Sequence, residues 1–275
     1  MHYHAPETLD DALTHLTTGN VTIVAGGTDV YPARGAAPLK RDLLDITRIA
    51  GLTGITHGPG GWRIGATTTW TRIARTDLPA AFAGLQAAAR EVGSIQIQNA
   101  GTIAGNLCNA SPAADGVPPL LTLDAQVELA SLDRRRLLPL SEFLTGVRRT
   151  ALAPAEMVTA ILLPDPPAHA AGAFDKLGSR RYLVISIAMV AVVIGRDASG
   201  RIDHARVAVG SCSPVAQRLT ELEADLIGQC LGDIHVTPAH LTPLSPIDDV
   251  RGSAGYRLDA VAEQIARAIR AAGGQ

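Results

Sequence analysis

The sequence predicts an α+β protein: a two-part α/β region followed by an α+β C-terminal domain with a three-stranded antiparallel sheet and helices. Three observations predict it. Up to about residue 165, short β-branched runs alternate with helical-period segments, and glycine turns interrupt them. The stretch Pro164-Asp165-Pro166-Pro167 then blocks continuation of helix and sheet alike. Beyond it, three apolar runs follow one another with only turn residues between them, and helices come last. The expected units are residues 1–57, residues 58–165 and residues 168–275.

In chain order, Leu9, Ala12, Leu13 and Leu16 recur at helical spacing behind Thr8, a capping residue with Asp11 three positions on. Gly19-Asn20 closes that helix, and residues 21–25 read as a strand ending in Gly26-Gly27. A helical turn at 28–31 is expected to stop at Pro32. Residues 43–46 and 62–66 are further strands, with a glycine-rich turn at 58–61. Residues 67–75 and 78–92 read as helices, the second with Phe82, Leu85, Ala89 and Val92 on one face. After the next glycine turn come a short helix at 118–123 and strands at 125–130 and 158–163. Strands at 174–177, 185–195 and 205–210 make the C-terminal sheet. The closing helix carries Leu258, Val261, Ile265 and Ile269 on one stripe.

Composition narrows the function. With 47% hydrophobic and 18% charged residues in 275, the chain can bury a substantial core. A net charge of −2 and 3% aromatics argue against nucleic acid as a partner. No apolar run reaches the length of a membrane span, and the N-terminus shows no secretory pattern; a cytoplasmic protein is expected. Cys108, Cys212 and Cys230 show no metal-ligand spacing and cannot supply the four ligands of an iron–sulfur cluster. Cys108, just after a glycine turn, reads as a small buried hydrophobe in preference to a residue beside a ligand of that turn, and Trp62, Trp70 and the eight histidines read as structural. The dinucleotide and Walker A glycine patterns are absent.

Two glycine turns carry the functional signal. One is Ala25-Gly26-Gly27-Thr28-Asp29; the other is Gly101-Thr102-Ile103-Ala104-Gly105-Asn106. Glycine permits positive φ and close backbone approach, and successive free N–H groups form a concavity that suits an anion. Two such turns suggest one extended phosphate-bearing ligand held between them.

These segments, with Arg63-Ile64-Gly65-Ala66-Thr67-Thr68 and Ala205-Arg206-Val207-Ala208-Val209-Gly210, resemble the FAD-binding medium subunits of the molybdenum hydroxylases, the xanthine and carbon monoxide dehydrogenase type. The resemblance spans nearly the whole chain. It implies a PCMH-type FAD-binding region and a C-terminal domain of the carbon monoxide dehydrogenase flavoprotein type. It implies FAD bound by Ala25, Gly26, Gly27, Thr28 and Asp29 and by Thr102, Ile103, Ala104, Gly105 and Asn106. Ala104 stands where many relatives have glycine. Asp115 matches an aspartate that meets ribityl or ribose hydroxyls; on local sequence it reads equally as a cap for the helix after it. Lys176 matches a lysine beside the flavin, and otherwise reads as a solvated charge at a strand edge. A further contact falls within residues 158–163.

The resemblance further implies an oxidoreductase subunit with no catalytic side chain and no metal of its own, the cofactor supplying the chemistry. Molybdopterin would sit on a large subunit and two [2Fe-2S] clusters on a small one, in a heterotrimer or its dimer. Electrons would leave through FAD to NAD, a quinone or oxygen. No His or Cys lies within residues 26–35, which favours non-covalent FAD. The short turn at 131–136 excludes the subtype with an added [4Fe-4S] cluster. Two other readings remain: a free-standing FAD-dependent oxidase or dehydrogenase, and a non-catalytic scaffold subunit.

Overall fold

The computed structural model describes residues 2–274 apart from 36, 37, 39 and 182. Its first sheet is parallel, ordered Tyr3–His4, Asp42–Asp45, Val21–Val24. Helix Leu9–Thr17 begins at Thr8, whose Oγ1 accepts from the Asp11 N–H at 3.2 Å and donates to Asp11 Oδ2 at 2.7 Å. Its apolar face, Ala12, Leu13 and Leu16, shares a core with Val21, Leu44 and Ile46. Pro32 does not stop the next helix, which runs Val30–Arg34. A proline in the first turn gives up an N–H that has no intrahelical partner in any case.

The second sheet is antiparallel and five-stranded: Ile55–Gly58, Gly61–Gly65, Met157–Leu163, Gln126–Ala130 and Arg135–Pro139. Ile64, Val127 and Ile161 from its strands share a core with Phe82, at the head of helix Ala83–Glu91, and with Leu85, Leu107 and Leu120 from helices Ala83–Glu91, Ile103–Asn109 and Val117–Thr122. The helix expected at 67–75 starts only at Trp70, because Thr69 caps it by accepting from the Arg72 N–H at 3.3 Å. The helix expected from 78 opens with a tighter 3-10 turn, Ala80–Phe82.

The C-terminal sheet pairs Ala171–Leu177, Ala188–Arg196 and Ile202–Gly210 antiparallel, as expected, and adds Gln217–Arg218 at one edge to make four strands. Both faces of this sheet are covered. Val190, Val192 and Ile194 face Val261, Ile265 and Ile269 of helix Ala254–Ala272. Val193 and Ala208 join the core of the five-stranded unit. Double-sided burial explains why Ala188–Arg196 reads as an unbroken apolar run rather than an alternating one. It also sets the C-terminal domain against helices Ala83–Glu91 and Val117–Thr122, which flank the helix opened by the second glycine turn.

Candidate functional site

A cleft of about 650 Å³ opens between the parallel-sheet unit and the helices of the second unit. Residues 25–29 line it from one side, and Thr102, Ala104, Gly105 and Asn106 from the other. Ile103 is fully buried beneath that second wall. The two turns touch directly: a Cβ on Gly26 would lie 1.9 Å from the Ala100 carbonyl oxygen, so only glycine fits there. Gly27 has φ +68°, the left-handed region. Trp70, 1% exposed, also borders the cleft, and a Cβ on Gly116 would sit 2.3 Å from its ring, so only glycine fits behind Asp115.

The backbones of the two turns differ. Among the described residues, the N–H groups of Gly26, Gly27, Thr28 and Asp29 have no acceptor. At the second turn the N–H groups of residues 103–106 are already engaged. Ile103 N–H donates to Thr68 O at 3.0 Å, Ala104 N–H to Ala66 O at 3.2 Å, Gly105 N–H to Thr102 Oγ1 at 3.1 Å, and Asn106 N–H to Thr102 O at 3.1 Å. The cause is local: Thr102 is the N-cap of helix Ile103–Asn109, so the expected loop is a helix start strapped to residues 66–68. This wall offers close approach at the exposed Gly105, and the buried Asn106 Oδ1, which has no hydrogen-bond partner among the described residues.

Asp115 lines the far part of the cleft and is 8% exposed. It caps nothing; helix Val117–Thr122 begins behind Gly116 without a side-chain cap. Its Oδ2 accepts from Lys176 Nζ at 2.7 Å and its Oδ1 from Ser186 Oγ at 2.7 Å. Lys176 is therefore not a solvated edge charge; it is buried behind Asp115 and also donates to Glu91 O at 3.3 Å, at the end of helix Ala83–Glu91. Burial pushes the Asp115 carboxyl above its ordinary value, while the Lys176 charge and the hydrogen bonds from Lys176 and Ser186 act against that push.

Several cleft residues were not singled out in the sequence. Val158 lines it within the segment expected to contribute. Arg148 lines it too, on the turn between strands Leu144–Gly146 and Arg149–Thr150; its φ is +57°, and its guanidinium donates to Asn109 O at 3.1 Å. Gly146, two positions before it, was the available signal. Of the two readings of Cys108, the structure favours the place beside the cleft over the buried hydrophobe. The residue opens onto the cleft, yet protein surrounds it closely enough that burial pushes its thiol up to about 12, leaving it neutral. Among the described residues no group of three His, Cys, Asp or Glu is placed to hold a metal, and no helix is long and apolar enough to cross a membrane.

Residues 1–166 match the family described as the FAD binding domain in molybdopterin dehydrogenase, and residues 173–272 match the CO dehydrogenase flavoprotein C-terminal domain. The chain is 31% identical to the 6-hydroxypseudooxynicotine dehydrogenase complex subunit alpha of Paenarthrobacter nicotinovorans, across 97% of this chain and 92% of that one. It is 34% identical to the nicotinate dehydrogenase FAD-subunit of Eubacterium barkeri, across 82% and 79%. Among solved structures, a chain of Cu,Mo-CO dehydrogenase superposes with a TM-score of 0.90 at 27% identity, covering 99% of this chain and 97% of that one. Fold, cleft and sequence agree: the chain belongs to the FAD-binding medium subunits of the molybdenum hydroxylases, a family of oxidoreductases.

Proposed function

We propose that this chain seats FAD in the cleft and passes electrons, received from the [2Fe-2S] clusters of a small partner subunit, to an external acceptor such as NAD, a quinone or oxygen. A large partner subunit carries the molybdopterin and oxidises the substrate; the assembly is a cytoplasmic heterotrimer or its dimer. The single observation that carries the seat is the cleft bounded by both glycine turns, with free donors on one wall. When bound, FAD supplies the conversion between one-electron and two-electron transfer.

The residues present fit that group. The open N–H groups of residues 26–29 suit a pyrophosphate, each charge-assisted hydrogen bond contributing about 1.5–3 kcal/mol. The unpartnered Asn106 Oδ1 and the Asp115 carboxylate offer acceptors to hydroxyl groups. Thr102, Ile103, Ala104 and Gly105 form the close-packed wall, and Lys176 holds Asp115 from behind. No side chain of the chain is asked to move a proton. The absence of His and Cys from residues 26–35 supports a non-covalent cofactor. The division into units at residues 1–57, 58–165 and 168–275 belongs to the same proposal and is supported by three apolar cores centred on those units, with Ala130 and Met157 reaching into the first and Val193 and Ala208 into the second.

The test is an absorbance spectrum of the purified chain, followed by acid release and mass analysis of the cofactor. Released FAD, and its bleaching only when the partner subunits and substrate are added, are the expected results. A colourless chain that refuses added FAD would overturn the assignment of the cleft; flavin reduction by substrate without partners would overturn the electron path.

A further inference from the structure

We infer that Ser186 is a positioning residue for cofactor binding: reaching in from the C-terminal domain, its hydroxyl acts with Lys176 to keep the Asp115 carboxylate ionised and facing the cleft. The inference rests on the reading that the cleft seats FAD.

Ser186 is 2% exposed and follows Ile185, which itself lines the cleft. The segment is held on both sides. Ile187 N–H donates to Leu177 O at 2.8 Å, and the buried Arg257 donates to the Ile187 carbonyl, to Ser211 O at 3.1 Å and to Asp249 Oδ1 at 2.7 Å. The hydroxyl is thus delivered to Asp115 Oδ1 by a fixed backbone. Lys176 occupies the other oxygen, so each carboxylate oxygen spends one lone pair on the protein and keeps another for a hydroxyl donor in the cleft.

A carboxylate this enclosed holds its charge only while its donors are in place. The charged groups set against it are Lys176 on strand Ala171–Leu177, which favours ionisation, and Glu91 at the end of helix Ala83–Glu91, which opposes it. Cys108 on the cleft wall stays neutral. Removing the Ser186 hydroxyl leaves burial and Glu91 opposed by Lys176 alone. Asp115 then takes up a proton at higher pH, and the protonated acid accepts hydrogen bonds poorly.

The experiment is titration of FAD into the full-length chain by flavin fluorescence, from about pH 5 to about pH 9, for wild type, S186A, S186T and D115N. Wild type loses affinity on the acid side. S186A moves that acid limb up by about 1 pH unit. S186T, which keeps the hydroxyl, returns it, and D115N binds weakly with no such limb. A merely structural Ser186 would weaken binding equally at every pH or not at all, and either result overturns the inference. Should S186A fail to fold by near-ultraviolet circular dichroism, S186C keeps the side chain's shape with a weaker donor; an unmoved limb in that variant overturns the inference too. Wild type that binds no FAD at any pH overturns the reading of the cleft itself, and this inference with it.

Discussion

The turn at residues 26–29 and the turn at residues 101–106 border one cleft and share a composition of glycine, threonine and a short polar residue, yet their backbones are used in different ways. The first follows strand Val21–Val24 and leaves its N–H groups without acceptors among the described residues. The second opens helix Ile103–Asn109, and each first-turn N–H is consumed by Thr102 or by residues 66–68. A glycine turn becomes an anion seat only when neighbouring structure does not claim its donors. Where a capping threonine and an adjacent strand end do claim them, what remains is closeness: a bare backbone wall against which a ligand can lie.

Four substitutions break or sharpen that contrast. The largest effect is expected of Gly26→Ala, since a Cβ there would meet the Ala100 carbonyl oxygen at 1.9 Å, backbone that cannot step aside. Overpacking of this kind costs about 1–3 kcal/mol or more. The turns part, flavin per chain falls below about a tenth, and the melting temperature drops by about 2–4 °C for each kcal/mol; full flavin content would show that contact between the turns is no part of the seat.

Gly105→Val comes next. Its Cβ would meet only the Thr102 hydroxyl, at 2.9 Å, so the chain is expected to fold while the wall thickens into the cleft. Flavin affinity falls at least about tenfold, read by titration alongside circular dichroism. Normal affinity would remove this turn from the site.

The last two separate the turns by kind of effect. Thr102→Ala deletes the cap of helix Ile103–Asn109, which costs about 1 kcal/mol and lowers the melting temperature by about 2–4 °C. A large loss of flavin affinity without that thermal shift would make Thr102 a direct ligand instead of a cap. Thr28→Val keeps the shape and removes the hydroxyl. It should weaken flavin binding by about 3- to 10-fold and leave the flavin-free melting temperature unchanged; the reverse pattern would interchange the roles assigned to the two turns.

Both turns could be read from the residues because glycines beside Thr and Asp or Asn leave a local mark. The long C-terminal strands were legible as apolar runs, and the Thr8 cap as a pattern spanning three positions. What could not be read was whether a donor is already taken. That depends on Ala66 and Thr68, which are brought to the second turn by the fold. Helix Ile103–Asn109 also escaped notice: its seven residues, Ile-Ala-Gly-Asn-Leu-Cys-Asn, are too few to show a period and include a glycine of low helix propensity. The surroundings of Asp115 were hidden for the same reason of distance, since Lys176 and Ser186 stand 61 and 71 positions further along. Ser186 in particular sat inside an expected strand, where a hydroxyl carries no signal.

That separation along the chain has a consequence for how the protein is made. Synthesis proceeds from the N-terminus, and domains form in the order in which they emerge. When the first 166 residues have left the ribosome, every glycine of the cleft is present, but the Asp115 carboxylate has neither its cation nor its hydroxyl. The cleft in that interval is a shape without its finished polar floor. It acquires the floor only when strand Ala171–Leu177 and the segment after it arrive, so on the proposed reading of the cleft, assembly of the C-terminal sheet sets the moment at which a newborn chain is able to hold a cofactor tightly.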